Sequence, residues 1–343
     1  MEEIGSEFQW AGLDNGKGIV EIGECRDSAF VFSGRTALET ILKNMKCVRK
    51  ACLPSYCCDS MIQPFREQGI EVVFYEVSYD DGLSVKMRIA PDVEVLLWCN
   101  YFGFELEMPD LTEFISRGGI VIEDITHSLL SKQVFHYQSR YVAASLRKWF
   151  PILDGGYCAD LKGTMHYKPE LKPSDRYLAL KKQAMKLKAE YLKTPSEPKK
   201  NEFMDLFHFC NSWVAQNYNN TMIDDESLYF LTKADIETYR RKRRANAEVL
   251  YSGLGHCESY RFMFPISKMD CPLFVPIIVN KDKREKILKK LIENKIYCPC
   301  HWPHPQADCE SNLYDLELSL VCDQRYSPED MERMASLLCR IEL

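Results

Sequence analysis

A single lysine stands between an apolar run and a double glycine in the stretch SLRKWFPILDGGY, residues 145–157. The preceding letters YVAASL predict a strand, and Pro151 followed by Asp-Gly-Gly predicts a turn rather than a helix. Lys148 therefore lies where a strand ends and the chain bends, a usual place for catalytic side chains in α/β proteins. The alternative is a solvent-facing lysine at a strand end, and this stretch taken alone favours that alternative.

Two further residues that can do chemistry lie at the end of another predicted strand. Asp124 ends the run GIVIED, and His127 follows three residues later. A lysine amine can form an imine with an aldehyde, and an aspartate can keep a pyridine nitrogen protonated so that the ring accepts electrons. An acid at one strand end and Lys148 at another therefore suit a site for pyridoxal 5'-phosphate.

A phosphate group needs backbone N–H donors at a helix N-terminus and one or two hydroxyl groups. The stretch SGRTAL, residues 33–38, supplies Gly34 for close approach and Thr36 at the start of a predicted helix. Ser145, three residues before Lys148, supplies another hydroxyl. Each feature is common by itself, so the prediction depends on their order and spacing.

The elements that must position these residues alternate along the first half of the chain. Apolar runs predict strands at 28–32, 50–55, 70–78, 93–103 and 119–125. Capped amphipathic stretches predict helices at 33–45, 57–69 and 109–119. Alternating strands and helices predict a mostly parallel sheet with helices on both faces, which brings the carboxyl ends of the strands together.

The second half has a different pattern. Two long helices are predicted at 172–192 and 234–254, joined by a Pro- and Lys-rich loop, KTPSEPKKNE, at 193–202. Residues 271–300 predict a strand, a helix and a strand, and 327–338 a capped closing helix. The predicted fold class is α/β, with a large domain over residues 1–250 and a small C-terminal α+β domain over 251–343.

Composition limits the partners. The formal net charge of −6 does not favour nucleic acid, and the basic stretch YRRKRR at 239–244 is interpreted as a solvent-facing helix surface. No apolar run is long enough to cross a membrane. Fifteen cysteines at irregular spacings, without a recognisable export signal, predict mostly reduced, buried thiols in a cytoplasmic protein.

The order of these motifs resembles the DegT/DnrJ/StrS-type aminotransferases, which are fold-type-I enzymes that use pyridoxal 5'-phosphate. The resemblance runs from about residue 28 to the C-terminus, and its most specific pieces are D-x-x-H at 124–127, S-x-x-K at 145–148 and CDQRYSPEDM at 322–331. It implies that Lys148 is the Schiff-base lysine, Asp124 the pyridinium partner and His127 a neighbour of the ring hydroxyl. The implied cofactor-binding set is completed by Gly34, Arg35, Thr36, Ala37, Tyr56, Cys58 and Ser145.

The resemblance also implies an activity and an assembly. The expected reaction moves an amino group from an amino acid to a keto sugar, attached to a nucleotide, or to a related ketone. A homodimer is expected, with the segment DDESLYFLTKADIE at 224–237 facing the partner subunit. Cys58 departs from the family, many of whose members have a stacking aromatic residue there. Lyase or dehydratase chemistry, small keto-acid substrates and a non-catalytic binding role remain alternatives.

Two other motifs point to different chemistry. S-x-x-K at 145–148 is also the nucleophile motif of penicillin-binding enzymes, but their later S-D-N and K-T-G partners are reduced here to SDR at 174 and KGT at 162. A Cys- and His-rich loop offers zinc ligands at spacings unlike those of common zinc motifs: Cys298, Cys300, His301, His304 and Cys309. Structural or substrate-lining roles are favoured there, and no metal site is predicted.

Overall fold

The computed structural model describes residues 3–19, 22–132 and 135–341. Its strands are β1 Ile4–Gly5, β2 Asp27–Val31, β3 Lys50–Pro54, β4 Glu71–Tyr79, β5 Leu83–Lys86, β6 Val95–Cys99, β7 Ile120–Asp124, β8 Tyr141–Ser145, β9 Gly156–Asp160, β10 Arg261–Phe262, β11 Phe274–Ile278, β12 Ile296–Tyr297 and β13 Glu317–Val321. Its α-helices are α1 Gly34–Lys43, α2 Asp59–Glu67, α3 Thr112–Ser116, α4 Asp175–Lys193, α5 Glu197–Gln216, α6 Asp225–Leu231, α7 Ile236–Leu254, α8 Lys281–Glu293, α9 Leu313–Leu316 and α10 Pro328–Cys339.

The central sheet has eight strands in the order β2-β9-β8-β7-β6-β3-β4-β5. The inner strands from β8 to β4 are parallel, and the outer strands β9, β2 and β5 run antiparallel to their neighbours. In the register of β7 and β8, Asp124 lies opposite Ala143. The carboxyl ends of these two neighbouring strands therefore meet at one edge of the sheet, and the predicted α/β architecture is confirmed.

Buried apolar strands and capped helices account for this part of the fold. Every residue of β6, VLLWC, is buried, as expected for a strand covered by helices on both faces. Burying a side chain such as Leu96 contributes about 1.5–3 kcal/mol. Helix α1 begins after Ser33, whose hydroxyl accepts the amide of Thr36 and fixes where the chain turns out of β2.

The prediction of a loop at 193–202 is wrong for most of these residues. Helix α5 begins at Glu197 with a proline in its first turn, so EPKKNE is helical. Proline is tolerated there because the first helical amides have no intrahelical partner. Helices α4 and α5 form an antiparallel pair, and Lys200 binds Glu3 and the hydroxyl of Tyr297.

The basic stretch at 239–244 is only partly a solvent-facing surface. Arg243 is buried, with its guanidinium 4.4 Å from the ring centre of Trp149, and it donates to the carbonyls of Pro272 and Leu273. Arg244 donates to the carbonyls of Met269 and Asp270. These arginines connect α7 to the chain leading into β11.

A second sheet, with the order β10-β11-β13, is antiparallel and is called the C-terminal sheet here. Helices α7 and α10 pack against each other beside it. The predicted domain division at residue 250 falls inside α7 and stays a prediction. Cys257 and Cys339 form a disulfide that the sequence did not predict, and the other thirteen cysteines are free.

Among the described helices, none is both long enough and apolar enough to cross a membrane.

Candidate active site

A cleft of about 620 Å³, measured out to its mouth, lies at the carboxyl ends of β7 and β8. Lys148 reaches it from a single 3₁₀ turn, Leu146–Lys148, that directly follows β8. The structure brings most of the predicted site residues to this cleft: Gly34, Arg35, Cys58, Asp124, His127, Ser145 and Lys148. Four separate stretches of sequence therefore converge on one cavity.

Three residues of the predicted cofactor set lie outside that lining. Thr36 is fully buried, and its hydroxyl donates to the carbonyl of Tyr218 at 2.8 Å. Ala37 is packed in the core, with its amide bonded to the carbonyl of Ser33. Tyr56 is fully buried behind Trp302, with 5.0 Å between the ring centres.

The N-terminus of α1 points its first amides at the cleft. Because Ser33 already binds the amides of Thr36 and Ala37, the amides of Gly34 and Arg35 have no acceptor within the described chain. A Cβ at Gly34 would lie 3.1 Å from the Cβ of Ser145, so glycine allows the helix to approach β8 closely. The resulting cradle has unpaired N–H donors and the positive end of a helix dipole.

Two arginines add positive charge to this cradle. Arg35 donates through Nε to Gln63 at 2.7 Å, and burial, with repulsion from Arg147, lowers the pKa of its guanidinium. Arg147 also lines the cleft, and its Nε is buried without a hydrogen-bond partner in the described chain. A buried guanidinium nitrogen without an acceptor is costly, and an anionic ligand would satisfy it.

Asp124 is a buried carboxylate that also lines the cleft. It accepts the amide of Thr126 at 2.8 Å. Burial raises the pKa of Asp124 from its ordinary value, while Thr126 and the charge of Lys148 oppose that rise. Within the described residues, no cationic side chain is in direct contact with this carboxyl group, and a protonated ring nitrogen would supply such a partner.

His127 lies between Lys148 and the backbone of the β6–α3 connection. Its Nε2 is 3.2 Å from Nζ of Lys148, and its Nδ1 accepts the amide of Phe102 at 3.3 Å. Burial, followed by the nearby charges of Lys148 and His301, lowers the pKa of His127 well below its usual range. The ring is therefore neutral, and the Phe102 amide places its proton on Nε2.

Trp302 is a cleft residue that the sequence interpretation missed. Its ring stacks on His127 with 5.4 Å between centres, and its centre is 5.7 Å from Nζ of Lys148. It comes from a loop more than 150 positions after Lys148, so no local pattern associates the two. The only available signal was its place in the HWP segment beside His301.

Other lining residues carry hydroxyl or thiol groups. The set includes Ser33, Ser60, Cys99 and Thr126. The hydroxyl of Ser60 lies 2.8 Å from the thiol of Cys58 at the start of α2. Ser33 had a readable signal, because a serine before Gly-Arg-Thr is a typical helix N-cap. The others depend on how loops fold back and had none.

The Cys- and His-rich loop at 298–309 does not gather its side chains around one point. Cys298 contacts Met334, His304 packs on the ring of Tyr314, and Cys309 lies 3.9 Å from the hydroxyl of Tyr314. Within the described ranges, no three metal-binding side chains come together. Cys298 and His301 line a cavity that Lys148 also lines, on the side of the C-terminal sheet.

No protein-family model matches the chain, and no curated protein matches it. Solved structures do match its fold. One is S. venezuelae DesV in complex with a ketimine intermediate, which has 15% sequence identity to this chain and a TM-score of 0.65. The match covers 93% of this chain and 86% of that chain. DesI in the presence of its TDP-sugar product has 13% identity, 92% and 80% coverage, and a TM-score of 0.64.

A DegT DnrJ EryC1 StrS aminotransferase from Brucella abortus is similar to the same extent, with 14% identity, coverage of 92% of this chain and 85% of that chain, and a TM-score of 0.61. Identities this low establish a shared fold. The chain therefore has the fold of these aminotransferases, and the fold predicted from the family resemblance is confirmed.

Proposed function

We propose that this protein is a pyridoxal phosphate-dependent aminotransferase. The observation that carries the proposal is the convergence of Lys148, Asp124 and the N-terminus of α1 on one cleft. These are a nucleophilic amine, a buried acid and an anion cradle. They come from different strand ends, and the fold is shared with aminotransferases.

The residues present fit this cofactor. The unpaired amides of Gly34 and Arg35, with Ser145 and the orphaned Nε of Arg147, would hold a phosphate. Asp124 would hold the ring nitrogen. The positive charge of that nitrogen would offset the cost of burying the Asp124 carboxylate. When bound, the cofactor supplies an electron sink that stabilises negative charge at the carbon next to the substrate nitrogen.

The chain's own residues then handle protons. Lys148 would hold the cofactor and, once released as a free amine, would carry a proton to and from the substrate carbon. His127 fixes the position of that amine through the contact at Nε2. Trp302 and His127 cover Lys148 with aromatic surface, which limits the access of water.

For the substrates, we favour an amino acid donor and a keto sugar attached to a nucleotide as acceptor. The support is that DesI, which shares the fold, was crystallised with its TDP-sugar product. Arg147 lines both the cleft and the adjoining cavity and can meet a phosphate. Lys200 binds Glu3 and so does not add to this charge. A homodimer and a cytoplasmic location are part of the same proposal.

The test begins with the absorption spectrum of the purified protein loaded with pyridoxal phosphate. Glutamate should convert the visible band to that of the amine form. Nucleotide-linked 3- or 4-keto sugars and simple 2-keto acids are then added separately. Return of the band with keto sugars supports the proposal, and return with 2-keto acids alone refutes the sugar substrate. A protein that takes up no cofactor refutes the aminotransferase.

A further inference from the structure

A buried hydrogen-bonded chain leads from the C-terminal sheet to the active-site cavity. Glu317 is fully buried on β13, and its Oε1 is bonded to the hydroxyl of Ser319 on the same strand. That hydroxyl lies 2.7 Å from Nδ1 of His301. The second carboxyl oxygen, Oε2, accepts the amide of His301 at 2.6 Å.

Of the hydrogen-bonded side chains, His301 is the one that faces the active-site cavity. His301 is 7% exposed and lines the same cavity as Lys148. With Nδ1 occupied by Ser319, Nε2 is the ring nitrogen available to a ligand. The ring is held by Phe102 and Phe274, with centres 5.4 and 4.9 Å from its own.

We propose that His301, acting with Ser319 and Glu317, exchanges a proton with the oxygen of the ketone acceptor. The inference rests on the proposed aminotransferase function. His301 would be the catalytic residue that touches substrate, and the other two would act through it. None of the Glu317, Ser319 and His301 side chains has a role in binding the cofactor in the proposal above.

The proton movement is defined by the hydrogen bonds. When Glu317 is protonated, it donates to Ser319, Ser319 donates to Nδ1, and His301 presents an N–H at Nε2. When Nε2 gives that proton away, each bond reverses and Glu317 is left as a carboxylate. One proton has then moved from the buried carboxyl group to the ligand.

The chemistry balances for condensation of an amine with a ketone. The C–N bond forms, the C–O bond breaks, and the oxygen leaves as water. His301 supplies one proton of that water, and the amine nitrogen supplies the other. The second proton lost by the nitrogen returns through His301 and restores Glu317 to its acid form.

The charges around the chain agree with this cycle. Burial raises the pKa of Glu317 to about 8, so it can hold a proton at neutral pH. Burial, and then the charge of Lys148, lowers the pKa of His301 well below its usual range. The other titratable or charged groups facing the chain are Tyr56, Arg284, Cys298, Cys300 and His127.

The first experiment is nitrogen NMR of histidine-labelled protein, with and without cofactor. His301 should move its proton from Nε2 to Nδ1 as the pH rises through about 8. Glu317→Gln should abolish that change, because an amide cannot ionise. An unchanged His301 tautomer across this range in the wild-type protein would overturn the proposal, whether or not the protein binds cofactor.

The second experiment measures the single-turnover reaction of the amine form with ketone. Glu317→Gln and Ser319→Ala should each slow it by roughly 100-fold and remove its pH dependence near 8. Ser319→Ala keeps the bond from Glu317 to the His301 amide, so it separates the relay from folding. His304→Gln, at an exposed histidine of the same loop, is the control. Variants with the wild-type rate and pH profile would refute the relay, whereas absent cofactor binding in wild type refutes the proposed function instead.

Discussion

The amine of Lys148 and Nε2 of His127 lie 3.2 Å apart, so Nε2 is the ring nitrogen that faces the amine. Because Nδ1 accepts the Phe102 amide, the neutral ring has its proton on Nε2 and can only donate. The contact therefore holds the amine at a set position beside the ring, and an amine placed in this way is the group that forms an imine with an aldehyde.

Lys148→Ala should leave the protein folded and abolish covalent attachment of pyridoxal phosphate. Borohydride reduction followed by peptide mapping should locate a single adduct at Lys148 in the wild type and none in the variant. Lys289→Ala, at an exposed lysine on α8, is the matched control and should keep the adduct. An adduct on any other lysine of the wild-type chain would contradict the assignment.

Asp124→Asn should retain part of the cofactor binding. Turnover should fall by roughly 100-fold or more, which is the usual effect of removing one preorganised electrostatic contact from an active site. An amide cannot stabilise a protonated ring nitrogen, although the phosphate contacts survive. Turnover and cofactor affinity are measured together, with Asp110→Asn on an exposed turn as control. Wild-type turnover in Asp124→Asn would assign this acid another role.

Gly34→Ala should weaken cofactor affinity with little loss of thermal stability. The added Cβ would lie 3.1 Å from the Cβ of Ser145, so one of the two must shift, and the amides at the start of α1 would shift with it. Gly82→Ala is the control, since a Cβ there meets nothing within 4 Å. Fluorescence titration with pyridoxal phosphate compares the two, and equal affinities would show that the phosphate is held elsewhere.

A stable homodimer is expected through the surface around Tyr229. Tyr229 is 53% exposed on α6, inside the segment predicted to face a partner, and Leu13 is 54% exposed. Both line an apolar groove with Trp10 and Phe230. Tyr229→Glu should shift the protein toward monomer in sedimentation, and Ile266→Glu, at another exposed apolar residue, should not. An active, cofactor-loaded wild-type monomer would refute the dimer.

The contribution of Asp154 to stability should fall as the pH rises from about 4 to about 8. Burial raises the pKa of Asp154 to about 8, while its ordinary value is 3.8. Between these values the folded protein binds more protons than the unfolded chain, so each such group lowers the free energy of unfolding by up to about 1.4 kcal/mol per pH unit.

Asp154→Asn should make the slope of the melting temperature against pH more positive than in the wild type between about pH 4 and about pH 8. Asp175→Asn, at an exposed residue of α4, should leave the slope as in the wild type. A slope unchanged in Asp154→Asn would show that this carboxyl group ionises normally in the folded state.

The sequence predicted those parts of the site that depend on strand ends. Asp124 and Lys148 each follow an apolar run, and Gly34 follows a capping serine, so local patterns placed all three. Trp302 and the relay of Glu317, Ser319 and His301 depend on how the C-terminal sheet packs against the larger one, which no local pattern encodes. Helix α5 was missed because its first-turn proline was interpreted as a loop residue.

The N-terminal segment has a mechanical consequence. Strand β1 pairs with β12, while Lys188 on α4 binds the carbonyls of Gly5 and Glu7, and Arg325 binds those of Ser6 and Glu7. The C-terminal part of the chain is thus connected to the rest of the protein twice, through α7 and through the N-terminal segment. If the C-terminal part rotated about α7 alone, the pairing between β1 and β12 would break. Any opening of the cavity must therefore also move the N-terminal segment. An affinity tag or a deletion at the N-terminus would therefore alter the opening of the cavity, although neither touches the cleft.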